Sequence, residues 1–269
     1  MTTIEDLAIL QDIDNVGEDW QAVKRQRYPA KTFTFKTTTL TVLLANKLAL
    51  EQQLGVDLIY VNETMRSVVF VQYKMFSGED GEEGYRPDNQ LKIEIERMDN
   101  AGKTLSTVAE DESCGGYRIG SDPFFFKFCT KLLTHDDQGH VPGIYVPLGF
   151  WKRLIMTPEA TGPRGGSIVY AGTFGRRFLT PSHFTDLVGR GWIGTSTLQT
   201  DVLVPYLQAA VLGKKTVVLA VETKAPMVDG DADDEEEGHS DVSAGATRAR
   251  AAKGRKVKYP GKKGKKIKI

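Results

Sequence analysis

Twenty residues, 55–74 (GVDLIYVNETMRSVVFVQYK), constrain this chain more than any other stretch. Two short apolar, β-branched runs, 56–61 and 67–74, flank a polar turn at 62–66, which is the pattern of a hairpin. Side chains alternate along a strand. Val68, Phe70, Gln72 and Lys74 therefore share one face, and Val69, Val71 and Tyr73 the other. Both faces are apolar until Gln72, so the second strand is expected to be covered on both sides, with its polar end emerging at a site. Asp57 opens the first strand, and Gln72 and Lys74 close the second. An acid, an amide and an ammonium brought together this way can hold a divalent cation beside a phosphate.

Composition bounds the rest. With 269 residues, 40% of them hydrophobic, the chain is long enough for a core and for one domain with a small elaboration. No run of apolar residues is long enough to span a membrane, and the N-terminal MTTIEDLAIL is too acidic and polar for a signal peptide, so a cytoplasmic protein is expected. Cys114 and Cys129 form no CxxC pattern, and two reduced thiols are expected rather than a disulfide framework or a zinc knuckle. The formal charge is zero, but residues 229–269 hold 8 acids and 11 Lys or Arg, which leaves −3 for residues 1–228. The body is therefore no general basic surface, and nucleic-acid binding must come from local clusters or from the tail.

In chain order, residues 4–10 read as a short helix, followed by a surface segment that docks through Trp20 and Tyr28 and carries no chemistry. Lys24, Arg25 and Arg27 read as a solvated charged face. In 37–50, Leu40, Leu43, Leu44, Ala45, Leu48 and Leu50 recur at three and four, which predicts a threonine-capped helix ending near Gly55. After Lys74 comes a Gly- and acid-rich loop. Asp88 then opens an amphipathic helix with Leu91, Ile95 and Met98 on one stripe and Gly102 as its stop. On that helix Gln90, Glu94 and Arg97 lie near one face, which offers them either to the lining of the cleft or, as the default reading, to a solvated, charge-supported surface.

The Phe run at 124–126 reads as core, and the polar His135, Asp136, Asp137 and His140 as a loop. Residues 143–154 read as a strand and turn, and 167–171 as a strand before the basic pair Arg176 and Arg177. Helices are expected from Thr180 and over 197–212, with a closing strand at 215–221. From 229 an acidic block precedes a basic one; neither can bury enough apolar surface to order itself.

The placement of Asp57, Gln72 and Lys74 resembles the PD-(D/E)xK, restriction-endonuclease-like nucleases, in the variant with Gln for the usual acid. The resemblance covers residues 36–100: a helix, Asp on a hydrophobic strand, Gln-x-Lys ending a second strand, then a helix. It implies an α/β fold with a small mixed sheet flanked by helices over residues 1–225, and a disordered charged tail over 226–269. It further implies hydrolysis of phosphodiester bonds, most simply in DNA, with Mg²⁺ or Mn²⁺ held by Asp57 and Gln72. Lys74 is the catalytic cation, and Glu51 stands where the family's first helix often supplies an acid. Arg176, Arg177 and tail residues Lys256, Lys262, Lys263, Lys265 and Lys266 are the candidate nucleic-acid contacts. Residues 113–225 resemble, less closely, the additions on nuclease domains of bacterial anti-phage defence proteins, which implies control by a protein partner or by homo-oligomerisation. Two other readings stay open: a non-catalytic nucleic-acid- or partner-binding protein on the same scaffold, and a structural protein of a phage or mobile element.

Overall fold

A computed structural model of the chain describes residues 4–17, 19–25, 30–45, 49–78, 83–130 and 141–211. The chain divides into two units, Met1–Lys224 and Ala225–Ile269; the tail and its five candidate lysines lie outside the described residues. In chain order the elements are α1 (Ile4–Asp14), β1 (Gln21–Arg25), β2 (Ala30–Phe35), β3 (Thr38–Leu44), α2 (Ala49–Leu54), β4 (Leu58–Asn62) and β5 (Ser67–Met75). There follow β6 (Gly84–Tyr85), α3 (Asn89–Leu105), β7 (Phe124–Cys129), β8 (Gly143–Pro147), α4 (Leu148–Leu154), β9 (Val169–Tyr170), α5 (Pro181–Gly189) and α6 (Thr197–Val211). The fold is α/β, built on one mixed sheet of seven strands in the order β1-β2-β3-β4-β5-β7-β8. It is larger than the small sheet expected.

The hairpin at 55–74 forms the middle of that sheet. β4 and β5 pair antiparallel from Leu58 opposite Val71 to Asn62 opposite Ser67. β5 and β7 pair in parallel, with α3 in the crossover. Both sheet faces are covered. Phe70, Phe124, Phe126 and Phe128 pack on one side with α2, α3, α4 and α6, while Tyr60, Tyr73 and Phe125 pack on the other with α1 and α5. The Phe run is core, as read, and alternation sends Phe125 to the opposite face from its neighbours.

Within the stretch 37–50 expected as a helix, Thr38–Leu44 is instead the strand β3, and among the described residues helix begins only at Ala49, in Ala49–Leu54. A strand, β2, precedes it, and the two join through a tight turn with Lys36 at φ 53°. The threonines that suggested a cap are β-branched and favour the pleated state, and Leu40, Val42 and Leu44 face one core while Leu43 faces the other. Gln21–Arg25, within the segment read as surface, supplies β1, and Ala30–Phe35 supplies β2. Trp20 does dock, against Phe35 at 5.8 Å between ring centroids and against Gly189, where a Cβ would lie 2.9 Å from the indole.

Helix α3 is capped by Asp88, which accepts from the Leu91 N–H, and runs past Gly102 to Leu105. The segment after β8 is helix α4 rather than a turn. Of the strand expected at 167–171, Val169–Tyr170 forms a two-stranded sheet with β6, and Ser167 makes an isolated bridge to Thr161. Thr180 caps α5, as read. Tyr28, the 135–140 loop and the strand expected at 215–221 lie outside the described residues. Among the described residues no helix is long and apolar enough to cross a membrane.

Candidate active site

The site lies at the sheet end where β4 begins and β5 finishes. After α2 the chain turns through Gly55 at φ 68°, and Asp57 joins the sheet edgewise by donating its N–H to the Val71 carbonyl at 2.9 Å. The buried Asp57 carboxylate receives two donors on Oδ2, the Gln72 amide at 2.7 Å and the Tyr73 backbone N–H at 2.8 Å. The Gln72 carbonyl oxygen is buried without a hydrogen-bond partner. Such an orphan costs about 1–3 kcal/mol unless a water or a cation meets it. Burial pushes the Asp57 carboxyl well above the usual carboxylate range; the Tyr73 N–H and Lys74 oppose the shift, and Glu5 and Glu51 add to it. A cation would reverse the sign of that cost.

Lys74 points to the same face. Its ammonium lies 2.7 Å from Glu94 of α3, with both side chains nearly buried. Gln90 donates to the other Glu94 oxygen at 3.3 Å. The surface reading of Glu94 is thereby overturned, since it closes the site from the helical layer. Gly55 makes this approach possible: a Cβ there would lie 2.5 Å from the Glu94 carbonyl oxygen. Gly55→Ala therefore combines a left-handed backbone with a collision against main chain. A loss of at least about 2 kcal/mol on urea unfolding is expected, together with displacement of Glu94 from Lys74.

The opposite layer contributes Glu5, on the N-terminal turn of α1 in the segment read as carrying no chemistry. It is half-buried. Burial raises its pKa, while Lys74 lowers it and Glu94, Asp6 and Asp88 raise it, so Glu5 shares the electrostatic field of Lys74. Glu51, the helical acid chosen from sequence, is half-buried on α2 and raises Asp57 more weakly than Glu5 does. Glu5 is the residue that sequence reasoning passed over, whereas Glu94 is offered to the cleft by sequence only as the lesser of two readings. An acid in the first turn of a helix preceding the strands was the available signal for Glu5.

Among the described residues no three His, Cys, Asp or Glu side chains converge as a metal cluster. The oxygen donors at the sheet end are instead one carboxylate, Asp57, and one unpartnered amide, Gln72, which suits a hard cation that keeps several waters. Cys129 is buried, and burial pushes its thiol up to about 12; Cys114 is exposed, and both are free. Arg176 and Arg177 are exposed, with the Arg177 guanidinium 5.5 Å over the Phe150 ring. Compared with family models, curated proteins and solved structures, the chain matches none of them.

Proposed function

We propose that this chain is a metal-dependent nuclease with a restriction-endonuclease-like core, hydrolysing phosphodiester bonds of nucleic acid, most simply DNA, in the cytoplasm, with anti-phage defence as its setting. The observation that carries the reading is the buried, unpartnered Gln72 carbonyl beside the buried Asp57 carboxylate, with Lys74 on the same face two residues on. The element order supports it as well. With Thr38–Leu44 in the sheet as β3, the helix ahead of the meander is α1, and its acid, Glu5, stands in the field of Lys74.

Asp57 and the Gln72 carbonyl would hold Mg²⁺ or Mn²⁺, with Glu5 alongside. The bound cation supplies a water of lowered pKa and offsets charge on the phosphate. Gln72 does two things at once, donating to Asp57 through Nε2 and leaving Oε1 for the cation. The Tyr73 N–H fixes the carboxylate's orientation from the main chain. Lys74 stabilises negative charge that develops as water adds to phosphorus and the bond to a sugar oxygen breaks. Glu94 keeps that ammonium at the site before substrate arrives.

The test is cleavage of supercoiled plasmid, linear duplex and single strands by the full chain with Mg²⁺, Mn²⁺ or EDTA. Asp57→Asn is expected to abolish metal-dependent cutting and to raise the melting temperature of the metal-free protein, because it removes a charge that burial disfavours. The folded pKa of Asp57 exceeds its unfolded value. The penalty relieved is therefore absent in acid and grows as pH rises above the ordinary Asp range. No cutting by the parent chain on any of these substrates would end the nuclease reading in favour of the non-catalytic one, and cutting that survives in Asp57→Asn would remove Asp57 from the chemistry.

A further inference from the structure

Three of the described arginines are held by partners within the fold. Arg66 pairs with Asp201, and Arg190 pairs with Asp186 at 2.7 Å. Arg118 donates to main-chain carbonyls that include Thr195 at 2.8 Å and Arg66 at 3.0 Å. In contrast, Arg86, Arg153, Arg164, Arg176 and Arg177 are all exposed, and none forms an ion pair or a hydrogen bond among the described residues. Four of these five fall within residues 141–180, where five basic side chains meet a single acid, Glu159. Residues 1–228 as a whole carry −3. Residues 141–180 are thus a local basic cluster in a body of net negative charge, and of its five basic side chains only Lys152 is paired among the described residues, with Asp99 at 2.7 Å.

These arginines ride on one layer. The Arg177 guanidinium lies over Phe150 of α4, and the neighbouring Trp151 packs against Phe174 at 6.3 Å and Tyr85 at 6.0 Å. Pairing of Gly84 with Tyr170 ties Arg86's strand to the strand before Arg176. The layer also borders the site: Ser77, just beyond Lys74 at the end of β5, exchanges backbone hydrogen bonds with Gly84 of β6, each at 2.9 Å.

We infer that this arginine face, with Arg153, Arg176 and Arg177 at its centre, binds the phosphodiester backbone of the nucleic acid that the site cuts; the inference rests on the nuclease reading above. A guanidinium presents paired N–H donors that match phosphate oxygens. Phe150 supports one face of Arg177 and leaves its N–H edge outward. Arginines with no protein acceptor lose no ion pair when they take a phosphate. Backbone contacts of this kind set position and affinity without reading sequence.

The experiment uses the full chain and measures binding to a short duplex and to a single strand by fluorescence anisotropy in EDTA across a salt series. Arg153→Ala/Arg176→Ala/Arg177→Ala is expected to weaken binding at least about tenfold and to lower the slope of log K against log salt by about 2–3. Arg190 follows α5 beside Asn62, at the opposite end of β4 from Asp57, and Arg190→Ala is expected to change neither. Unaltered affinity and slope in the triple variant, or no binding by the parent chain, overturns the inference. Loss of binding in the triple variant with no cutting by the parent would keep the arginine face and remove the nuclease reading. Cutting by the parent with an unaffected triple variant would do the opposite.

Discussion

Lys74→Met is expected to lower metal-dependent cutting by at least about 10³-fold and to destabilise the fold by about 3 kcal/mol, and the two losses have different causes. The catalytic loss follows from removing the cation that faces developing phosphate charge. The stability loss follows from Glu94, whose carboxylate stays nearly buried after its partner at 2.7 Å is gone. Desolvating a carboxylate costs several kcal/mol unless a counter-charge compensates, whereas an apolar pair of similar volume in the same place is close to neutral. Lys74→Met/Glu94→Leu should therefore recover most of the stability and none of the activity. Urea unfolding and plasmid cleavage on the single and double variants decide the point. Equal stability losses in the two variants would show that Glu94 is not held by Lys74, and wild-type cutting by the double variant would remove Lys74 from the chemistry.

Lys127→Met is expected to cost more still in stability, about 3–5 kcal/mol. Lys127 and Asp12 are fully buried and paired on the α1 face of the sheet. Asp12 also accepts from the Tyr73 hydroxyl at 2.7 Å and from the Val141 N–H at 2.9 Å, and Lys127 lies over the Tyr73 and Tyr145 rings at 5.4 and 5.1 Å. Every donor in this network reaches the one carboxylate, which makes the loss of the cation severe. Tyr73→Phe removes one of three donors and should cost about 1–2 kcal/mol. The effect should reach the site, because Asp12 follows Glu5 by about two helical turns on one side of α1. Hydrogen exchange should show α1 losing protection before β4 and β5. A cost under about 1 kcal/mol for Lys127→Met would mean that the pair does not hold α1 to the sheet.

How much of this was legible in the sequence depends on how local the physics is. Strand alternation is local, and by itself it puts Phe70, Gln72 and Lys74 on one face. Register follows from a short turn, so Asp57 had to arrive beside Gln72. The Asp88 and Thr180 caps were likewise visible, since each satisfies an N–H three residues away. Residues 37–50 misled because leucines at three- and four-residue spacing also suit a strand buried on both faces, and only the neighbouring strands β2 and β4 select between the two.

Glu94 shows the limit most clearly. On an amphipathic helix it has the spacing of a solvated charge, and it becomes buried only because Gly55, far away in the chain, lets α2 and α3 close to backbone contact. Glu5 comes within the electrostatic field of Lys74 for a comparable reason, since the Asp12, Lys127 and Tyr73 network holds α1 on the sheet. The hairpin and the trio at its open end are written locally in the chain, because alternation and turn length act over a few residues. Which carboxylates surround that trio, and which arginines stay unpaired beside it, is settled in three dimensions. Burial and charge pairing there depend on elements that meet across the whole sheet.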